Sequence, residues 1–360
     1  MPRCEEVSIG TQAHSSYDMF QTEINLYLQS FASDGVTSFM RAVTATGYDP
    51  FYIGLLVIVM MGVDFRRGFL LFQLIVWTGI LTEVFKNLFA LPRPTWVDAR
   101  VLNLESGEFS SSAPVGMGAQ GFFQLPPRDI VEACRQQGAS YGFPSGHVAG
   151  ACATWGGLAL LFRKQALYWL APVMAVLMAL SRMYLGRHFL ADALGGVVVG
   201  GGVVVLAYVI LDRARWGQRL FERQNLIFSF HLPNLALLFI LLVPPILLLV
   251  LSLIDSDQAG YILGLDVAFL VLMRRGLSRD AGSWLQRAAR VLLVGFLFFA
   301  VAFALRFAVN LTGVNGDYAA IVFFQAAAPS FLAFWAGVLL CDNLGLYGNP
   351  QANEASERQA

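Results

Sequence analysis

Two histidines stand where apolar segments begin, and their neighbours define what they can do. Pro144-Ser145-Gly146-His147 precedes a Gly/Ala-rich apolar run, while His188 follows Gly186 and Arg187 and lies four residues before Asp192. On a helix, positions i and i+4 share a face, so the Asp192 carboxylate can reach the His188 ring. An imidazole oriented in this way keeps one nitrogen protonated and leaves the other free to attack or to accept a proton. The adjacent helix N-terminus disfavours imidazolium and so preserves that lone pair. Ser145 is well placed as an N-cap. The free amides of Gly146 and His147 then point outward as a cradle for an oxyanion. Taken alone, the quartet is equally a capped helix start with a wetted histidine.

The cations supply the context. Lys86 and Arg93 are seven residues apart, two helical turns, and project from nearly one face before Pro92 and Pro94 end the helix. Alone they would read as snorkelling side chains, and Glu83, one turn before Lys86, can pair with it. Arg182 faces the same pocket, and its planar fork suits phosphate oxygens. Three cations around an amide cradle want a multiply charged oxyanion. Two histidines on different helices offer a nucleophile and an acid. The other two histidines, His14 and His231, belong to no cluster. This is equipment for phosphoryl transfer without a metal. No acidic cluster suited to a metal pair occurs, so neither a metal nor another cofactor is expected.

Elements that place these groups must be membrane helices. Of 360 residues 57% are hydrophobic and 13% charged, and the mean hydropathy is +0.61, which indicates a polytopic membrane protein. The formal net charge of zero gives no sign of a nucleic-acid partner. The first fifty residues are polar or amphipathic and do not read as a secretory signal. The cysteines Cys4, Cys134, Cys152 and Cys341 have no metal-ligand spacing, and pairing of Cys4 with Cys134 is left open.

The expected fold is all-α, a transmembrane bundle of about nine spans at roughly 50–63, 68–91, 146–162, 165–185, 189–211, 232–254, 259–273, 289–312 and 317–340. Residues 17–46 have the spacing of interfacial amphipathic helices. Arg66 and Arg67, Arg163 and Lys164, the arginines of 213–223 and those of 274–290 all fall on one side of such a bundle. The positive-inside rule makes that side cytoplasmic. The 95–143 loop and the 186–188 turn then lie outside. Four regions are expected: an amphipathic segment to 49, a catalytic bundle over 50–212, a four-span region over 226–344 and a disordered tail from 345.

The three polar clusters together resemble a known family. Lys86 with six residues before Arg93-Pro94, then Pro144-Ser145-Gly146-His147, then Ser181-Arg182 with five residues before His188 and three more before Asp192, match the type 2 phosphatidic acid phosphatases in order and spacing. Glucose-6-phosphatases and vanadium-dependent haloperoxidases carry the same signature. The resemblance covers about residues 50–212 and does not extend to the last four spans. It implies that His188 is the nucleophile, forming a phosphohistidine, with Asp192 orienting it. By the same resemblance, His147 protonates the leaving alkoxide and then activates water. Lys86, Arg93, Ser145, the Gly146 amide and Arg182 would hold the phosphate oxygens. Many members have a further span before the amphipathic region, and none is expected here from the residues before 17.

The expected function is an integral membrane phosphatase acting on lipid phosphomonoesters or diphosphates, such as phosphatidate, phosphatidylglycerophosphate or a polyprenyl diphosphate. The expected setting is a bacterial inner membrane, with the site facing the periplasm or exterior. Its partners are the lipid phosphate and the bilayer; the sequence is silent on oligomeric state. Alternatives are a sugar-phosphate phosphatase, a lipid phosphotransferase, or a transporter or scaffold with a vestigial site. Asp266 and Arg306, within apolar segments, motivate the last; a hydrogen bond to a neighbouring helix and outward snorkelling are their simpler readings.

Overall fold

A computed structural model describes residues 20–106, 124–136, 140–213, 232–276, 282–313 and 316–347. Cys4, His14, His231, the basic linker beyond 213 and the tail from 348 lie outside the described residues. Within them every element is helical. The helices are α1 Glu23–Gln29, α2 Asp34–Ala45, α3 Asp49–Val57 with a π-helical turn Ile58–Val63, α4 Phe65–Phe89, α5 Pro94–Val97 and α6 Arg128–Gln136. There follow α7 Gly146–Phe162, α8 Gln165–Tyr184, α9 Leu190–Tyr208 with a π-helical turn Val209–Arg213, α10 Leu232–Val250, α11 Ser256–Arg275, α12 Trp284–Thr312 and α13 Ala319–Asn343.

This is a multi-pass membrane protein. Among the described residues six helical stretches are long and apolar enough to cross a bilayer. A seventh is counted if α2 and α3, bent by 55° at their junction, form one span. Two shorter apolar helices, Gly146–Phe162 and Leu238–Val250, stand where two further spans were expected. Phe296, Phe299, Phe303 and Phe307 are exposed at three- and four-residue spacing along α12, as a lipid-facing stripe would be.

Side chains and backbone start and stop the helices where the chain must turn. The Asp64 carboxylate accepts from the Arg67 amide at 2.8 Å and opens α4. At the other end Ala90 adopts a left-handed conformation, its N–H bonding the Lys86 carbonyl at 2.7 Å, so α4 stops before Pro92. Gly186, at φ +75°, turns the chain from α8 toward α9, against the Val101 side chain.

The polar side of α1 faces the protein. Asn25 Nδ2 donates to the carbonyls of Met183 at 2.8 Å and His188 at 3.0 Å. Gln29 Nε2 donates to those of Leu102 at 2.7 Å and Tyr184 at 3.0 Å. Met183 and Tyr184 are the last residues of α8, where helical partners run out, and Leu102 and His188 lie in the flanking loops.

One apolar core runs through α3, α4 and α7 and through the helices beyond residue 232. Phe69 of α4 stacks on Phe269 of α11 with ring centroids 3.7 Å apart. Asp266 of α11 accepts from Gln73 of α4 at 2.5 Å, the neighbouring-helix hydrogen bond expected of it. Gly260 and Gly264 let the α11 backbone approach α13, since a Cβ on Gly264 would sit 3.0 Å from the Ala327 carbonyl carbon. Gly264→Val is expected to destabilise the folded protein by about 1–3 kcal/mol through overpacking. An unchanged melting temperature in detergent would show that α11 and α13 can separate freely.

Candidate active site

The three polar clusters meet at one end of the bundle. Gly196 and Gly200 on α9 allow the backbone of α7 to lie against it. A Cβ at Gly196 would fall 2.6 Å from the Ser145 carbonyl oxygen, and one at Gly200 2.9 Å from the Ala149 carbonyl carbon. The Ser145 amide donates to the Asp192 carbonyl at 2.9 Å, tying the start of α7 to the first turn of α9. Gly142 is wedged between the turn after α4 and the first turn of α9: its N–H bonds the Leu91 carbonyl at 2.7 Å, and a Cβ there would lie 3.0 Å from Asp192 Oδ2.

His188 is buried at the α8–α9 junction. Its Nδ1 lies 3.2 Å from Asp192 Oδ2, which also accepts from the Phe189 amide at 2.9 Å. A carboxylate at Nδ1 favours the tautomer protonated there and leaves Nε2 with the lone pair. Burial, and after it the positive charges of Arg93 and Arg182, hold the His188 ring well below the usual histidine range. The ring is therefore neutral throughout the neutral and weakly acidic range, the form that can attack.

The other expected residues are placed around it. Arg93 is buried, donating from Nη1 to the Arg187 carbonyl at 3.2 Å and from Nε to the Ser140 carbonyl at 2.9 Å. Lys86 Nζ would lie 3.7 Å from a Cβ on Gly146, so its ammonium stands beside the α7 N-terminus. It pairs with Glu83 at 2.5 Å, as the spacing allowed. His147 stacks edge-on against Tyr48, with centroids 4.7 Å apart, and a Cβ on Gly47 would fall 2.5 Å from its Cδ2. The α2–α3 bend thus forms one wall of the site.

Ser145 occupies the N-cap position of α7, but its hydroxyl does not cap the helix. Ser145 Oγ is buried without a hydrogen-bond partner in the protein, and so are His147 Nε2, Arg182 Nε and Asp192 Oδ1. Buried polar atoms are rarely left so, and four at one place mark a site built for an outside partner.

Three contributors were not anticipated. Glu105, from the loop after α5, pairs with Arg182 Nη1 at 2.7 Å and with Arg187 Nε at 2.9 Å, and accepts from the Tyr48 hydroxyl. Burial pushes its carboxyl upward, but Arg182, Tyr48 and Arg187 outweigh this and bring it down to about 2. Asn25 and Tyr48 are the others, reaching the site from α1 and from the α2–α3 junction. None forms a local pattern with the motif it serves: Glu105 is 77 residues from Arg182, and Asn25 is 163 from His188. Among the described residues no group of His, Cys, Asp and Glu could hold a metal ion.

Because its hydroxyl caps nothing, Ser145→Ala is expected to change stability by less than about 0.5 kcal/mol, against ~1 kcal/mol for a lost cap. A larger drop in melting temperature would return Ser145 to a capping role.

The profile of the PAP2 superfamily matches residues 67–216. Phosphatidylglycerophosphatase B of Bacillus subtilis (strain 168) is 38% identical over 71 residues, covering 17% of this chain and 35% of that protein. Sphingosine-1-phosphate phosphatase 2 of Homo sapiens is 31% identical over 173 residues, covering 46% of this chain and 35% of that protein. Undecaprenyl-diphosphatase BcrC of Bacillus subtilis (strain 168) is 38% identical over 61 residues, 17% of this chain and 31% of that protein. The chain thus spans about a third of the length of these relatives. No solved structure matches it significantly. Residues 67–216, the stretch similar to the PAP2 superfamily, hold all three polar clusters.

Proposed function

We propose that this protein is a membrane phosphatase that hydrolyses lipid phosphomonoesters or diphosphates through a phosphohistidine on His188. The observation that carries the reading is the Asp192–His188 pair set among Lys86, Arg93 and Arg182 beside the free N-terminus of α7. The three relatives are all named for phosphatases, and each name specifies a lipid phosphate or diphosphate. That supports a lipid rather than a sugar phosphate.

The phosphate oxygens take hydrogen bonds from Lys86, Arg93, Arg182, the Ser145 hydroxyl and the Gly146 amide, with the α7 dipole behind them. His188 Nε2 attacks phosphorus. The bond to the leaving oxygen breaks, its electron pair leaves with that oxygen, and His147 delivers the proton. Water then attacks the phosphohistidine while His147 takes its proton. The P–N bond breaks and its electrons return to Nε2. A bound phosphate dianion favours the protonated His147 that the first step needs.

The basic residues Arg66, Arg67, Arg163, Lys164, Arg274 and Arg275 lie at the opposite end of the bundle from this site. This supports a site on the non-cytoplasmic face, with the headgroup leaving the bilayer to meet the cations. Residues 50–212 are then the catalytic bundle, and residues 226–344 a second membrane region.

His188→Ala is expected to reduce phosphate release from lipid phosphates by about a thousandfold or more and to abolish acid-labile protein phosphorylation. Retained turnover would overturn the assignment. Glu105 occupies Arg182 as a phosphate oxygen would, so Glu105→Gln is expected to tighten inhibition by vanadate by about tenfold, one charge-assisted hydrogen bond's worth. Because the Glu105 carboxyl stays ionised far below neutrality, that difference should be constant across the neutral range. Weaker inhibition would show instead that Glu105 serves to orient Arg182.

A further inference from the structure

A cavity of about 350 Å³ opens beside the phosphate cradle and runs into the membrane between the catalytic helices and those beyond residue 232. Its upper end is lined by Gly47, Gly146 and Gly150, of which Gly146 belongs to the cradle and Gly47 underlies His147. One wall is Phe72, Val76, Gly79 and Ile80 of α4. The facing wall is Tyr261, Ile262 and Leu265 of α11, with Phe298 of α12 and Phe334 of α13 at depth. Most of its polar groups gather near the top, where Asp49, Tyr52, Asp257 and Gln258 line it; Ser330 of α13 adds one hydroxyl lower down, bonded to the Ala326 carbonyl.

The dimensions suit one occupant. From Asp257 to Leu265 the helix rises roughly 12 Å, which approaches half of the ~30 Å hydrocarbon core. The volume falls within the range of small-molecule sites. A polar upper rim, apolar depth and direct continuity with the phosphate cradle describe a slot for a molecule with an anionic head and a hydrocarbon tail.

We infer that this cavity receives a hydrocarbon chain of the lipid phosphate whose headgroup sits at His188, and that the helices beyond residue 232 form its second wall. The inference rests on the phosphatase reading of the site. A chain moving from bilayer to cavity gains little from the hydrophobic effect, because lipid tails are as apolar as leucine side chains. The cavity therefore contributes selectivity by shape and length more than affinity. Ile262, Leu265, Phe298 and Phe334 become specificity-determining residues for the substrate's tail.

Gly79 provides the test. It lines the cavity, and a Cβ there meets nothing within 4 Å, so Gly79→Leu starts its side chain into open space and replaces a helical glycine. Ser330→Leu fills it from the opposite, α13 side. Phosphate release would be measured for wild type and both variants, with a long-chain lipid phosphate and with p-nitrophenyl phosphate. Both variants are expected to lose about tenfold or more in kcat/KM for the lipid while keeping p-nitrophenyl phosphate turnover within about twofold. Equal losses on both substrates, or no loss on either, would overturn the chain-slot inference and leave the phosphatase reading intact. If wild type hydrolysed neither substrate, the phosphatase reading would fall. A lipid phosphate with a photoreactive tail would still decide the slot: labelling of Ile262 or Leu265, lost in Gly79→Leu, supports it, and labelling elsewhere sinks it.

Discussion

Close contact between the backbones of α7 and α9 is the constraint on which the site depends. Gly196 and Gly200 present no side chain where α9 crosses the start of α7, so Ser145 and Ala149 rest directly on its backbone. In a bilayer, where water does not drive helices together, such contact between small residues is a main source of attraction. It also sets geometry. The N-termini of two helices, one bearing Ser145 and His147 and the other following His188, end up at the same place. The Ser145–Asp192 backbone bond then fixes their register. Two positive helix ends aimed at one point make an anion site before any cationic side chain is counted.

Those cationic side chains raise a second problem, because several positive charges in a buried site repel one another. The protein answers with carboxylates of its own. Glu83 accompanies Lys86, Glu105 bridges Arg182 and Arg187, and Asp192 stands beside His188. Arg93 instead gives its donors to backbone carbonyls and the Ser140 hydroxyl. The site is thus rich in positive charge and still foldable, since each guanidinium has a defined resting partner. The helix ends are held from outside by α1, whose Asn25 grips the carbonyls of Met183 and His188. Without that grip, the turn bearing the histidine would carry unsatisfied groups in a buried setting.

Much of this arrangement was legible in the sequence. Lys86, Arg93, Ser145, His147, Arg182, His188 and Asp192 announce themselves because each lies beside a helix end, where proline, glycine and charge interrupt an apolar run. The helical class followed from hydropathy and the general placement of spans from apolar length. The Ser145 cap did not follow: the residue type suits the position, but its hydroxyl turns away from the helix amides. Glu105, Asn25 and Tyr48 escaped for a different reason. Each is a single polar residue in a polar segment, and only the folding of α1, α2 and the loop onto the end of α8 gives it a partner. The glycine pairs at 196 and 200 and at 260 and 264 were visible as spacing, yet their meaning needed the identity of the helix that each one meets. The cavity between the two sets of helices could not be read at all, since its walls come from six segments far apart in the chain.

The bond from Gln73 to Asp266 has a consequence of its own. It joins α4 to α11 deep in an apolar environment, where neither group has water as an alternative. Sliding one helix past the other by a single residue would strand an amide and a carboxyl in oil. The pair therefore works as a mechanical pin. It permits the surrounding aromatic side chains to adjust while forbidding the two groups of helices to creep vertically against each other, so the depth of one is referenced to the depth of the other.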